Sequence, residues 1–150
     1  MGHDDSIWPS DVHRDVVEEL LRMRRARAEI DPKAILEASA FHILWLLSDG
    51  RARTLRELSE DLDLEQSTVN RQVNAAIKRG YLERFEVAGQ ISRMHRPTEA
   101  GVEAFEHDGK RRADRLNRVF ADLAPGDPAI LLVQLRAFND AYERQVIDAD

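Results

Sequence analysis

The sequence predicts a mainly α-helical chain with one small β-hairpin, and three observations carry that expectation. Apolar residues recur at steps of three and four over most of the 150 residues, the spacing that lines one face of a helix. The period changes once, between Tyr81 and Pro97, into two β-compatible stretches around a glycine-containing turn. Capping residues and Gly or Pro stops bracket the helical stretches.

Each element follows in order. Ser10 precedes a stripe of Val12, Val16, Leu20 and Met23, which predicts a first amphipathic helix. Asp31-Pro32 reads as an N-cap with proline at the first helical position. The stretch Ile35 to Leu47 behind it is apolar nearly all round, as expected of a buried central helix, and Ser48-Asp49-Gly50 ends it. Thr54-Leu55-Arg56-Glu57 is a capping box, and Leu55, Leu58 and Leu62 form the face of a short helix. After the tight turn Asp63-Leu64-Glu65, a helix from about Gln66 to Arg79 turns Val69, Val73, Ala76 and Ile77 inward and stops at Gly80. Tyr81 to Val87 and Ile91 to Arg96 then flank Ala88-Gly89-Gln90 as a hairpin. Thr98-Glu99 opens another helix with Val102, Phe105, Leu116, Val119, Phe120 and Leu123 as its stripe, and a looser polar middle is expected around His107-Asp108-Gly109. Asp127-Pro128 starts the last helix, striped by Leu131, Leu135, Phe138, Tyr142 and Val146.

Composition removes several functions. With 43% hydrophobic and 33% charged residues, the chain is neither a disordered tail nor a membrane protein. The absence of cysteine excludes disulfides, thiolate metal sites and thiol nucleophiles. The acidic start at Met1 to Asp5 lacks the apolar core of a signal peptide, so a soluble, cytoplasmic chain is expected. His3, His13, His42, His95 and His107 include no i,i+4 pair, and neither a metal nor another cofactor is expected. No phosphate-cradling glycine loop, Gly-x-Ser-x-Gly elbow or His-Glu-x-x-His helix is present, so no enzyme is expected.

A short helix, a tight turn, a second helix and a hairpin make a winged helix-turn-helix pattern. In the second helix the inward stripe leaves Ser67, Thr68, Asn70, Arg71, Asn74 and Lys78 facing outward. Hydroxyls, amides and cations are the groups that reach base edges and phosphates in a major groove. Arg84 and Arg96 on the hairpin are further candidates for phosphate contacts, with pairing to a nearby glutamate as the alternative for such strand residues. Charge is concentrated in the same place. Between Gln66 and Pro97, six cations (Arg71, Lys78, Arg79, Arg84, Arg93, Arg96) face two anions (Glu83, Glu86). The segment carries +4 within a chain of net charge −6, so the other 118 residues carry −10. That is the electrostatic footprint of a DNA-binding face. The terminal helices have no obvious internal partner except each other, which leaves packing on the same chain's core and packing between subunits both open. A dimer would place two reading helices about one DNA turn, ~34 Å, apart.

The chain resembles the MarR-type regulators. The resemblance rests on Phe41-His42-Ile43-Leu44-Trp45-Leu46-Leu47, Thr54-Leu55-Arg56-Glu57-Leu58, Gln66-Ser67-Thr68-Val69-Asn70-Arg71-Gln72-Val73-Asn74 and Lys78-Arg79-Gly80-Tyr81-Leu82-Glu83-Arg84. Pro97-Thr98-Glu99-Ala100-Gly101 is similar to the family's Leu-Thr-x-x-Gly after the wing, and the match in element order runs from about Ser10 to Ile147. The resemblance implies a homodimeric transcriptional regulator on a pseudo-palindromic duplex operator, often released by a small aromatic effector, and a repressor is the reading adopted. It implies a single domain over 1–150, with a winged lobe at 33–97 and dimerisation helices at 10–31 and 98–147. It places His42 and Trp45 near the region where the family binds effectors; packed or core roles are the expected reading for both, with ligand-pocket residues as the alternative. The family's wing carries an Asp-x-Arg near its tip. Here the tip reads Val87-Ala88-Gly89-Gln90-Ile91-Ser92-Arg93, without the Asp, so Arg93 is the nearest counterpart in a shorter hairpin. A winged-helix protein–protein module without DNA binding is the alternative function.

Overall fold

The computed structural model describes residues 7–27 and 31–147, and no side chain is described at Arg27, Val146 or Ile147. The acidic start, His3 and the place of Val146 in the last stripe therefore lie outside the described residues. The chain forms two compact units divided between Ala34 and Ile35. The first holds α1 (Asp11–Arg27), whose Val12, Leu21 and Met23 are exposed. It ends in a turn in which the Asp31 carboxylate accepts from the Lys33 N–H at 3.0 Å. Asp31-Pro32 thus opens a turn, not the next helix as expected.

The second unit runs α2 (Ala38–Leu47), β1 (Arg53–Thr54), α3 (Leu55–Leu62), α4 (Gln66–Lys78), β2 (Leu82–Phe85), β3 (Met94–Pro97), α5 (Glu99–Ala121) and α6 (Asp127–Ile147). Its core is Leu36, Phe41, Ile43, Leu44, Leu47, Leu58, Val69, Val73, Ala76, Leu82 and Ala104. Local signals act as the sequence indicates. The Thr54 hydroxyl accepts from the Glu57 N–H at 3.2 Å while the Glu57 carboxylate accepts from the Thr54 N–H at 2.7 Å, closing the capping box at the start of α3. Asp63 takes the left-handed conformation (φ 52°) that turns the chain into α4, a conformation a short polar side chain tolerates. At the end of α4, Gly80 (φ 83°) lets its N–H reach the Ile77 carbonyl (2.9 Å) and the Tyr81 N–H the Ala76 carbonyl (3.0 Å). This is the Schellman stop.

Four expectations are corrected. The central helix starts at Ala38 rather than Ile35, because the Ile35 and Leu36 N–H groups donate to the Asp108 carboxylate at 2.8–3.1 Å. Nor is it buried all round: Phe41, Ile43, Leu44 and Leu47 are buried, whereas His42 is exposed and Trp45 is 63% exposed. The strands of the hairpin are shorter than the β-compatible stretches, pairing Leu82 with Pro97 through Phe85 with Met94. The predicted turn is present, with the Gln90 N–H on the Val87 carbonyl at 3.0 Å, but Ile91 lies fully exposed in a loop instead of a strand. A third strand, β1, pairs antiparallel with β3 (Arg53 opposite His95) to give the order β1-β3-β2.

The fourth correction concerns α5, which is continuous through His107-Asp108-Gly109. Its buried face is Gly101, Ala104 and Asp108, not the apolar stripe. Small residues let the helix come close to the core, and Val102, Leu116, Val119 and Leu123 stay exposed. Every described side chain of α6 from Ala129 onward is exposed, with Ile130 at 61% and Tyr142 at 63%.

Candidate nucleic-acid interface

The inward stripe of α4 sets what its opposite face presents. Val69, Val73 and Ala76 are buried, so Ser67, Asn70, Arg71, Asn74 and Lys78 are exposed and Thr68 is half-buried. Arg71 and Lys78 have no ion-pair partner among the described residues. The other cations of the basic segment are held. Arg79 pairs with Glu37 at 3.0 Å and Arg93 with Glu86 at 3.5 Å, while Arg96 pairs with Glu83 and lies 4.5 Å from the Phe85 ring centre. Exposed pairs of this kind contribute about 0–1 kcal/mol, so exchanging a glutamate for a phosphate costs little.

Arg84 differs. Its Nη2 donates to the Asn74 Oδ1 at 2.6 Å and its Nε to the His95 Nε2 at 3.2 Å, which ties β2 to α4. Asn74 in turn donates to the Asn70 Oδ1 at 3.3 Å. A groove of 290 Å³ gathers Asn70, Arg84 and Arg93 with Arg56, Gln66 and Ser92 between α4 and the wing. Arg96 lies elsewhere, at a separate apolar cavity of 510 Å³ beside Leu44, Leu47, Val102 and Phe105. Neither His42 nor Trp45 lines that cavity. Trp45 instead joins an aromatic cluster, 6.3 Å from Phe41 and 6.2 Å edge-on from Phe105, with the Arg112 guanidinium 3.8 Å from the Phe41 ring centre.

Three buried polar residues that hold the fold together, two of them next to this face, escaped sequence reasoning. Arg53, only 8% exposed, donates to Asp49 (2.8 Å), Asp61 (2.9 Å) and the Leu46 carbonyl (2.7 Å), joining the ends of α2 and α3 to β1. Its guanidinium, with the Arg51 N–H, holds the Asp49 carboxyl down to about 2. His95 is buried with its Nδ1 3.1 Å from the Arg53 carbonyl. Burial pushes the His95 pKa below its ordinary 6.5, and the Arg84 cation adds to that against the carbonyl bond. The charged residues that line the groove, Arg84, Arg56 and Arg93, are all cations, with Arg56 paired to Glu60 and Arg93 to Glu86. Asp108 is the third. Burial raises its carboxyl, but the Ile35 N–H, the His107 side chain and the Leu36 N–H outweigh burial and leave it below the usual carboxylate range. The Gly101–Ala104–Asp108 spacing was the available signal for Asp108; β1 is too short to leave one for Arg53.

The His95 shift fixes a pH response. The unfolded chain takes up a proton near 6.5 while the folded ring stays neutral, so the His95 contribution is flat above that value and folding stability falls as pH drops below it. Ring-nitrogen NMR should show a His95 midpoint below 6.5, and a midpoint at or above it contradicts the buried neutral ring.

Comparison with known proteins places the fold. Residues 36–90 match the model of the MarR family. No match is found among curated proteins. AbsC, a MarR family transcriptional regulator from Streptomyces coelicolor, is similar in structure with a TM-score of 0.75 at 19% identity, over 92% of this chain and 99% of its own. FabT from Streptococcus pneumoniae, solved in complex with DNA, has a TM-score of 0.68 at 13% identity, over 88% and 93%. BpsR from Bordetella bronchiseptica, whose DNA binding is regulated by 6-hydroxynicotinic acid, has a TM-score of 0.66 at 21% identity, over 83% and 98%. The mainly helical chain with its three-stranded antiparallel wing is thus the winged-helix fold of these regulators.

Proposed function

We propose that this chain, a MarR-family winged-helix protein by its residues 36–90, is a homodimeric duplex-DNA-binding transcriptional regulator, a repressor responsive to a small ligand. The exposed polar face of α4 carries the reading, because the helix that supplies Asn70 to the groove with Arg84 and Arg93 also exposes Arg71 and Lys78, which have no ion-pair partner among the described residues. In this reading α4 enters the major groove, with Ser67, Thr68, Asn70, Arg71 and Asn74 toward base edges and the nearest phosphates. Lys78, Arg84, Arg93 and Arg96 then serve the backbone and the adjacent groove, where Arg93 and Arg96 exchange their glutamates for phosphates and Arg84 uses the N–H groups that Asn74 and His95 leave free.

Dimerisation by 10–31 and 98–147 around a lobe at 33–97 is supported by the apolar residues that α1, the end of α5 and α6 leave exposed. Burying them between two copies would remove that surface from water, and would set the two α4 helices to read a pseudo-palindrome. Trp45, beside Phe41, Phe105 and Arg112, offers rings and a cation suited to a small aromatic acid, with His42 next to it in α2. An effector that binds only the DNA-incompetent spacing of the lobes would shift the population off DNA. The chain acts in the cytoplasm in this reading, and no described helix is long and apolar enough to cross a membrane.

Two substitutions test the face. Arg71→Ala should weaken binding to the operator by about 1–3 kcal/mol while leaving random duplex less affected, as loss of a bidentate base contact does. Lys78→Ala should weaken all duplexes alike and lower the slope of affinity against salt by about one unit. Gel shifts on operator and random duplex at several salt concentrations distinguish the two. Equal loss for Arg71→Ala on both duplexes moves that residue to phosphate, and no loss from either variant removes α4 from the interface.

A further inference from the structure

The bonds around Arg84 form a chain whose direction is chemically fixed at both ends. A guanidinium carries donors only, so the atom of Asn74 that lies 2.6 Å from Arg84 Nη2 is its amide oxygen. The Asn74 NH2 is then turned toward Asn70, 3.3 Å from that amide's oxygen. Asn70 therefore accepts within the pair and turns its own NH2 outward, and no described residue takes those hydrogens. At the other end the Arg53 carbonyl is an acceptor only, so the buried His95 holds its proton on Nδ1 and offers the Nε2 lone pair to Arg84 Nε–H at 3.2 Å. Without the guanidinium, two neighbouring amides can bond in either order.

We propose that Arg84 is a specificity-determining residue acting through Asn74, and that it polarises the Asn74–Asn70 pair so that Asn70 offers donors to an acceptor-rich base edge. The proposal rests on the DNA-reading role of α4. An asparagine that reads adenine must present donor and acceptor together, to N7 and N6. Asn70 has one lone pair of its oxygen engaged by Asn74 while both NH2 hydrogens are free among the described residues, and guanine presents two acceptors to such donors, O6 and N7. The pair that Asn70 meets should therefore read guanine over adenine. Arg84 still has N–H groups to spare for a phosphate, since only Nε and one hydrogen of Nη2 are used. His95 is a positioning residue in this chain: it orients Arg84 and touches no base.

The test combines two readouts. In the free protein, side-chain amide NMR signals of both Asn74 and Asn70 should move in Arg84→Met, although Asn70 does not touch residue 84. Selection of bound sequences from randomised duplexes then reads the preference itself. Wild type should favour guanine about tenfold at one pair in each half-site, Arg84→Lys should keep that preference, and Arg84→Met should relax it. Asn74→Asp accepts from Arg84 but cannot donate to Asn70, so Asn70 should turn its oxygen outward and move the preference to adenine or cytosine. Asn70 signals that ignore Arg84→Met overturn the relay, and so does a base preference that Asn74→Asp leaves in place. A wild type that binds no duplex overturns the regulator reading and this inference with it, whereas binding with an unmoved preference overturns this inference alone.

Discussion

Replacing Gly101 by alanine will destabilise the protein strongly, although alanine is the better helix former. Propensity alone favours Ala over Gly inside a helix by about 1 kcal/mol. A Cβ at 101 would sit 2.0 Å from the Tyr81 carbonyl oxygen, 2.9 Å from its carbon and 3.1 Å from its Cα. Backbone atoms cannot rotate away as a side-chain tip does, so α5 must lift off the entrance to the wing. That movement breaks the Thr98 N–H bond to the Tyr81 carbonyl (3.1 Å) and the Thr98 hydroxyl bond to the Gly80 carbonyl. Overpacking costs about 1–3 kcal/mol; against backbone that cannot turn aside the upper end, about 3 kcal/mol, is expected, or about 6–12 °C in Tm for a chain of this size. Thermal melts followed by circular dichroism check it. An unchanged or raised Tm would mean that propensity wins and that the close approach is not tight.

Asp108→Ala should be the second large loss. The carboxylate accepts from the Ile35 N–H at 3.0 and 3.1 Å and from the buried Leu36 at 2.8 Å, pinning the approach to α2 onto α5. Removing it orphans these donors, at about 1–3 kcal/mol for each one that water cannot reach. We expect a loss of about 2–4 kcal/mol, with Asp108→Asn, which keeps one acceptor oxygen, losing less. The pH dependence has a definite sign. The folded carboxyl lies below its ordinary 3.8, so its contribution is complete above that value and is lost as pH falls through the folded midpoint. Urea unfolding of wild type and Asp108→Ala should therefore converge at acid pH, and a constant difference would place the loss in packing instead.

These two residues mark where sequence reading stops. The capping box at Thr54–Glu57, the stop at Gly80 and the inward face of α4 were legible because each is decided within a few residues of chain. The polar face of α4 was legible by subtraction, once Val69 and Val73 were assigned to the core. Asp108 looked like a weak point in a helix because its partners lie more than seventy residues away. The stripe of α5 was legible as apolar but not as exposed. A helix that needs close approach uses Gly101 and Ala104 for it and leaves its larger apolar residues facing outward. Trp45 misled for the related reason that an apolar run does not say which residues find neighbours. The two-residue β1 was too short to show a period, and with it went Arg53 and the ring of His95. Arg84 was legible as a cation on the hairpin, but its bond to Asn74 depends on register between strand and helix.

The proposed DNA-reading surface is the +4 segment from Gln66 to Pro97, in a chain whose net charge is −6. Its most direct test is a fluorescence anisotropy titration of the full chain. The ligands are fragments of its own gene's upstream region and a random duplex of equal length, each at about 50 and about 200 mM salt. Saturable binding to an upstream fragment is expected, at least about a thousandfold tighter than to random duplex. The affinity should fall steeply between the two salt concentrations. Absence of saturable binding at both salts, or binding that salt does not weaken, would contradict that assignment.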